Sequence, residues 1–253
     1  MKHSLIPAAL RLSGADPARA LAAYGVVQGM VFPALGFPAA FFYSLAEVLV
    51  PELTRAQVCG DLRRVRESVS RSLRISFCVA SGISALFFSC GKQLGTLLYG
   101  SAEAGAYMTA LSPFVLVMYM DAVTDGMLRG LGEQFYSMCV NLADAVLSLA
   151  AVRFIVPIFA VRGYLALIFL SELFNFSLSL GRLVKKTGIS FSPGALLFPP
   201  LCAAGAVSAS SLLMRALGPT SGGAFGLAAH LLTAGGIYAG LMLAGRRAEK
   251  AKT

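Results

Sequence analysis

Residues 191–214 read FSPGALLFPPLCAAGAVSASSLLM and residues 216–245 read ALGPTSGGAFGLAAHLLTAGGIYAGLMLAG; neither stretch holds an Asp, Glu, Lys or Arg. A helix crosses the hydrocarbon of a bilayer with about 18–20 apolar residues, and both stretches exceed that. The pattern extends to the whole chain, in which 57% of 253 residues are hydrophobic and 13% are charged. A soluble domain carries about 45–50% and about 25%, because a core of this size needs a charged shell around it. Composition therefore points to a membrane.

Five further apolar runs, bounded by Gly, Pro and charge clusters, bring the expected spans to seven: residues 24–50, 72–98, 104–128, 135–157, 161–183, 191–217 and 222–245. A lone strand in lipid leaves its backbone N–H and C=O groups unpaired, and the alternation of a barrel is absent, so the spans are read as helices. The expected fold class is an all-α integral membrane protein with about seven transmembrane helices.

The formal net charge of +9 does not mark a nucleic-acid binder, because the cations lie between apolar runs and form no patch interleaved with aromatics. Topology accounts for them, since basic residues accumulate in cytoplasmic loops. One set of alternate loops holds fourteen: Arg55, Arg63, Arg64, Arg66, Arg71 and Arg74, then Arg129, then Arg182, Lys185 and Lys186, then Arg246, Arg247, Lys250 and Lys252. The other set holds six: Arg11, Arg19, Lys92, Arg153, Arg162 and Arg215. The excess predicts a cytoplasmic C-terminus in the cell membrane, with residues 14–20 outside. Residues 52–74 space Leu53, Val58, Leu62, Val65 and Val69 as an amphipathic helix lying along the inner surface, with arginines toward anionic headgroups; a solvated linker fits the same charges.

Too few apolar residues separate Lys2 from Arg11 for a signal peptide, so the first span is expected to direct insertion. The five cysteines are scattered, with no CxxC pair and no His at ligand spacing, and are read as helix packing. His3 and His230 have no catalytic partner in the sequence. Gly25, Gly29, Pro33, Gly36 and Pro38 mark the first span as bendable or closely packed.

Three stretches carry a family resemblance. Residues 6–52 read IPAALRLSGADPARALAAYGVVQGMVFPALGFPAAFFYSLAEVLVPE, residues 119–149 contain DGMLRGLG, and residues 163–187 read GYLALIFLSELFNFSLSLGRLVKKT. Together they resemble the stage V sporulation protein B and polysaccharide flippase family, within the superfamily of multidrug (MATE) exporters and MviN-type lipid II flippases. The resemblance implies two helical lobes of about fourteen spans around a cavity, of which this chain matches the second lobe. Residues 1–23 are then the end of a preceding helix and an external loop, 24–187 the lobe's bundle, and 188–253 two additional helices with a basic tail. It further implies a lipid-linked sugar or peptidoglycan precursor as substrate, membrane lipids and a first lobe as partners, and coupling to membrane potential, H⁺ or Na⁺ with no cofactor.

Charges within hydrocarbon are costly, about 2.5–3.5 kcal/mol each on insertion scales, so acids inside spans are the candidates for a site. Asn141 and Asp144 share one face of the fourth span, and Glu172 and Asn175 one face of the fifth. Consecutive antiparallel spans bring Asp144 and Glu172 to similar depth, where they share a proton, bind a cation, contact substrate or only bond the helices together. Asp121, Asp125 and Arg129 recur every four residues on the third span, with Asp125 and Arg129 expected to pair, and Glu47 stands near the end of the first. These eight residues are the candidate cavity and gating set. The competing functions are a cation-coupled exporter of the same fold, a truncated non-transporting half, and a membrane enzyme, which the short loops disfavour.

Overall fold

The structure, a computed structural model, describes residues 17–190, 193–216 and 224–250. Residues 1–16 of the expected helix end and external loop, residues 191–192 and 217–223 at the ends of the last two expected spans, and the last three residues of the basic tail lie outside these. Every described element is helical: α1 (Pro17–Val26), a π turn (Val27–Val31), α2 (Phe32–Val58), α3 (Leu62–Tyr99), α4 (Ala102–Ala110), α5 (Ser112–Gly130), α6 (Gln134–Thr187), α7 (Pro193–Ala216) and α8 (Ala224–Lys250).

Five stretches are long and apolar enough to cross a membrane: Ala18–Val58, Leu62–Tyr99, Gln134–Phe159, Gly163–Thr187 and Phe225–Gly245. The bent pair α4–α5 makes a sixth. The span expected at 191–217 is represented by the shorter apolar stretch Leu197–Leu213. The first span starts before residue 24 and runs on through the π turn, where the Phe32 N–H reaches the Val27 carbonyl. Pro33 cannot donate to the carbonyl four residues back, and the widened turn accommodates that missing bond.

The third expected span is not straight: α4 and α5 meet at 57°. Pro113 lacks an N–H for the Thr109 carbonyl, which instead accepts from Ser112 Oγ at 2.8 Å. Nor do residues 52–74 form one surface helix. They are the end of α2 and the start of α3, parted at Cys59–Asp61 by Gly60 with φ +69°. Of the proposed apolar stripe, Leu53, Val65 and Val69 are buried, whereas Val58 and Leu62 at the turn are exposed.

At 1.5 Å per residue, α6 would be roughly 80 Å long if straight, but its cross-pairs fold it into a hairpin. Glu133 meets Arg182, Asn141 meets Asn175, and Ser148 meets Ser171, so the arms run antiparallel from an apex near Pro157, between the fourth and fifth expected spans.

The chain forms two compact units, residues 1–76 with 117–190 and residues 77–116 with 191–253. In the first, α2 lies against α5. Phe42 stacks on Tyr119 with ring centroids 4.4 Å apart, and the Tyr119 hydroxyl donates to the Leu35 carbonyl at 2.6 Å. Gly126 faces Ala46 so closely that a Cβ would stand 2.5 Å from that of Ala46. In the second unit α3 and α4 approach through Gly91, Gly95 and Gly105. There the Tyr238 ring of α8 covers Gly82 and its hydroxyl donates to the Cys78 carbonyl at 2.7 Å. Small residues permit this contact, which matters where lipid supplies little hydrophobic drive between helices.

Candidate functional site

The first unit contains a cavity of about 490 Å³ lined by Tyr43, Met118, Asp121, Ala122, Asp125, Arg129, Gln134, Ser137, Met138, Asn141 and Glu172. Three elements supply its polar wall. Helix α5 contributes Asp121, Asp125 and Arg129 at four-residue intervals; the first arm of α6 contributes Gln134, Ser137 and Asn141; its second arm contributes Glu172. Five of the eight candidates therefore share one cavity.

Asp121 is 7% exposed, and its Oδ1 is buried without a hydrogen-bond partner. A buried carboxylate oxygen left without a donor is costly, so this atom is where a proton, a cation or a substrate donor gains most by arriving. One turn on, Asp125 does not pair with Arg129 as its spacing predicts. Its Oδ1 instead accepts from Ser137 at 3.2 Å and Ser179 at 3.1 Å, one hydroxyl from each arm of α6. Arg129 is exposed on the cavity wall.

Asn175 is buried and donates from Nδ2 to Asn141 Oδ1 at 2.9 Å, joining the arms beside the cavity; its own Oδ1 is unpartnered. Asp144 lies outside the cavity lining, one helical turn beyond Asn141. It accepts from Ser148 at 3.3 Å and from Ser171, the residue preceding Glu172, so Asp144 and Glu172 stand at neighbouring levels. Glu47 is exposed on α2 and does not line the cavity.

Sequence reasoning missed Ser137, Ser171 and Ser179, whose hydroxyls hold the acids, and Tyr43, which the fold of α2 brings to the wall. A serine one turn from an acid, as in Asp144 and Ser148, was the available signal. It also missed a cluster at the open end of the hairpin. Gly132, with φ +72°, turns the chain into α6 and sets Glu133 at its N-cap. Arg182 donates to Glu133 Oε2 from Nε at 3.0 Å and Nη2 at 2.7 Å, Lys186 Nζ lies 2.8 Å from Oε1, and Arg182 stacks over the Tyr136 ring at 5.0 Å. The ammonium of Lys186 and the guanidinium of Arg182 hold the Glu133 carboxyl below its ordinary value. Among the described residues no group of three or more His, Cys, Asp and Glu is placed to hold a metal ion.

A bundle of membrane-length helices around a polar cavity defines a multi-pass membrane protein of the transporter type. The MatE family model matches residues 9–155, more than half of the chain, and the chain belongs to that family of transporters. It is 24% identical over 143 residues to stage V sporulation protein B of Bacillus subtilis (strain 168), a match covering 56% of this chain and 27% of that relative. The match thus spans about a quarter of the relative's length. No solved structure matches the chain.

Proposed function

We propose that this chain supplies one helical lobe of a flippase that moves a lipid-linked oligosaccharide or peptidoglycan precursor across the cytoplasmic membrane. The sugar headgroup passes the cavity of the first unit while the lipid tail stays in the bilayer. The observation that carries this reading is the cavity wall: three carboxylates, two amides and a serine hydroxyl inside membrane helices, in about 490 Å³, within the usual size of small-molecule sites. Carboxylates and amides accept from sugar hydroxyls, and an apolar headgroup path would not need them. The likeness to stage V sporulation protein B supports a role in sporulation; the lipid-linked substrate and the role in wall or spore-cortex synthesis rest on the family resemblance of residues 6–52, 119–149 and 163–187.

Alternating access needs a second bundle to rock against this one, so the partner is a first lobe on the same or a separate chain. The fourteen-to-six bias in Lys and Arg supports a cytoplasmic C-terminus; a reporter fused at Thr253 that is active outside the cell overturns that topology. In cells depleted of this chain and its paralogues, unflipped lipid-linked precursor accumulates on the inner leaflet. Normal outward flux in such cells rejects the flippase reading.

A second reading, cation-coupled export, is favoured by one feature: the cavity presents Asp121, Asp125 and Glu172 against the single guanidinium of Arg129, an excess that attracts H⁺, Na⁺ or an organic cation. Substitution of all three acids by amides should abolish proton-coupled drug export; export that survives it excludes these acids as the coupling groups, and absence of any cation-coupled export by the parent excludes the reading itself.

A further inference from the structure

Four arginines of α3 share one face. At about 3.6 residues per turn, Arg63, Arg64, Arg71 and Arg74 fall within roughly a third of the helix circumference, opposite the buried stripe of Val65, Val69 and Leu73. All four are exposed. Arg66 stands apart, donating from Nε to the Thr187 carbonyl at 2.8 Å. The neighbouring acids are engaged: Glu67 pairs with Arg63 at 2.9 Å, Glu52 accepts from Ser68 at 2.8 Å, and Asp61 accepts from the Arg64 N–H at 2.9 Å. Among the described residues no carboxylate pairs with Arg64, Arg71 or Arg74.

Position along the helix decides what neutralises them. Arg74 is the last charge before the uncharged run 75–91. That uncharged run covers roughly 26 Å of helix at about 1.5 Å per residue, close to the hydrocarbon thickness of about 30 Å. The first turns of α3 therefore stand outside the hydrocarbon, with Arg71 and Arg74 at its boundary, level with lipid phosphates. A soluble polyanion gains nothing from that depth. We propose that Arg71 and Arg74, extended outward by Arg63 and Arg64, form a docking face for anionic phospholipid headgroups and gather phosphatidylglycerol-type lipids around α3.

The chain contains no tryptophan, so Ser72→Trp provides a single fluorescent reporter beside the pair. The full chain is reconstituted in phosphatidylcholine vesicles containing a fixed fraction of phosphatidylglycerol, with bromine on the acyl chains of one lipid or the other. Brominated phosphatidylglycerol quenches more than its mole fraction accounts for, an enrichment of up to roughly fivefold per boundary arginine. The enrichment falls to one in R71Q/R74Q, and it shrinks in high salt. R63Q/R64Q, farther from the boundary, retains most of it. Equal quenching by both lipids in the parent overturns the proposal, as does enrichment that survives in R71Q/R74Q or a larger loss in R63Q/R64Q. Should R71Q/R74Q lose its helical circular dichroism, the parent's salt titration decides: enrichment indifferent to salt overturns the proposal.

Discussion

The α6 hairpin and the α7–α8 pair solve the same problem, two apolar helices side by side in lipid, by different means. In α6 the arms are bridged at several levels, by Glu133 with Arg182 and Lys186, by Asn141 with Asn175, and by Ser148 and Ser171 around Asp144. Between α7 and α8 the described polar bridge is the hydroxyl pair Ser210–Thr233 at 2.7 Å, with Ser210 also near the His230 carbonyl. Helix association in lipid needs little more than close packing and an occasional hydrogen bond, so the second arrangement suffices for a scaffold. The additional polar groups of α6 cost insertion energy, and the proposed passage of a headgroup through the neighbouring cavity would give that cost a use.

This contrast can be broken most forcefully at glycines. In G126L the Cβ alone would stand 2.5 Å from the Ala46 Cβ and 3.0 and 3.2 Å from its backbone Cα and O, and overpacking should cost about 3 kcal/mol. Gly240 in α8 has nothing within 4 Å, so G240L should leave detergent melting nearly unchanged. Equal losses would show that the α2–α5 contact beside the α6 hairpin and this face of α8 are packed alike.

Next in size, D121N should lower transport in a reconstituted flux assay by roughly ten- to 150-fold, the loss expected when a substrate hydrogen bond to a charged group, about 1.5–3 kcal/mol, is removed. Its melting should stay close to the parent's, because Asp121 Oδ1 has no hydrogen bond to lose. S210A should leave flux intact; a comparable flux defect there would erase the functional distinction between the hairpins.

A smaller effect belongs to Glu133. Its folded-state carboxyl is held below the ordinary value by Lys186 and Arg182, so the ion pairs stabilise above the unfolded value near pH 4.3 and that contribution is lost as pH falls through the depressed one. E133Q should melt lower than the parent at pH 7 by about 1 kcal/mol. The gap should close in acid below the folded-state value; a gap that persists there would mean Glu133 acts through packing.

The smallest expected changes are those of the interhelical bonds, on average about 0.6 kcal/mol each. N175L and T233V should both fall in that range by chemical unfolding, and only N175L should also alter flux, because its partner Asn141 lines the cavity.

The sequence by itself determined that helices cross a membrane, roughly where, and which acids are costly enough to suggest a use. Charge-free runs of about twenty residues have one stable state in lipid, and that reasoning needs no tertiary contact. Asp121, Asp125, Arg129, Asn141 and Glu172 were legible as candidates because a charged or amide side chain in such a run stands out. Only the tertiary structure decided which of them meet. It put Asp125 on Ser137 and Ser179 instead of Arg129, left Glu47 exposed, set Asp144 beyond the cavity wall, and bent the third span at Pro113. Pair distances across helices depend on rotation, bend and close approach at small residues such as Gly126 and Ala46. A pattern repeating every 3.6 residues fixes the face of a helix but not the neighbour that face will find.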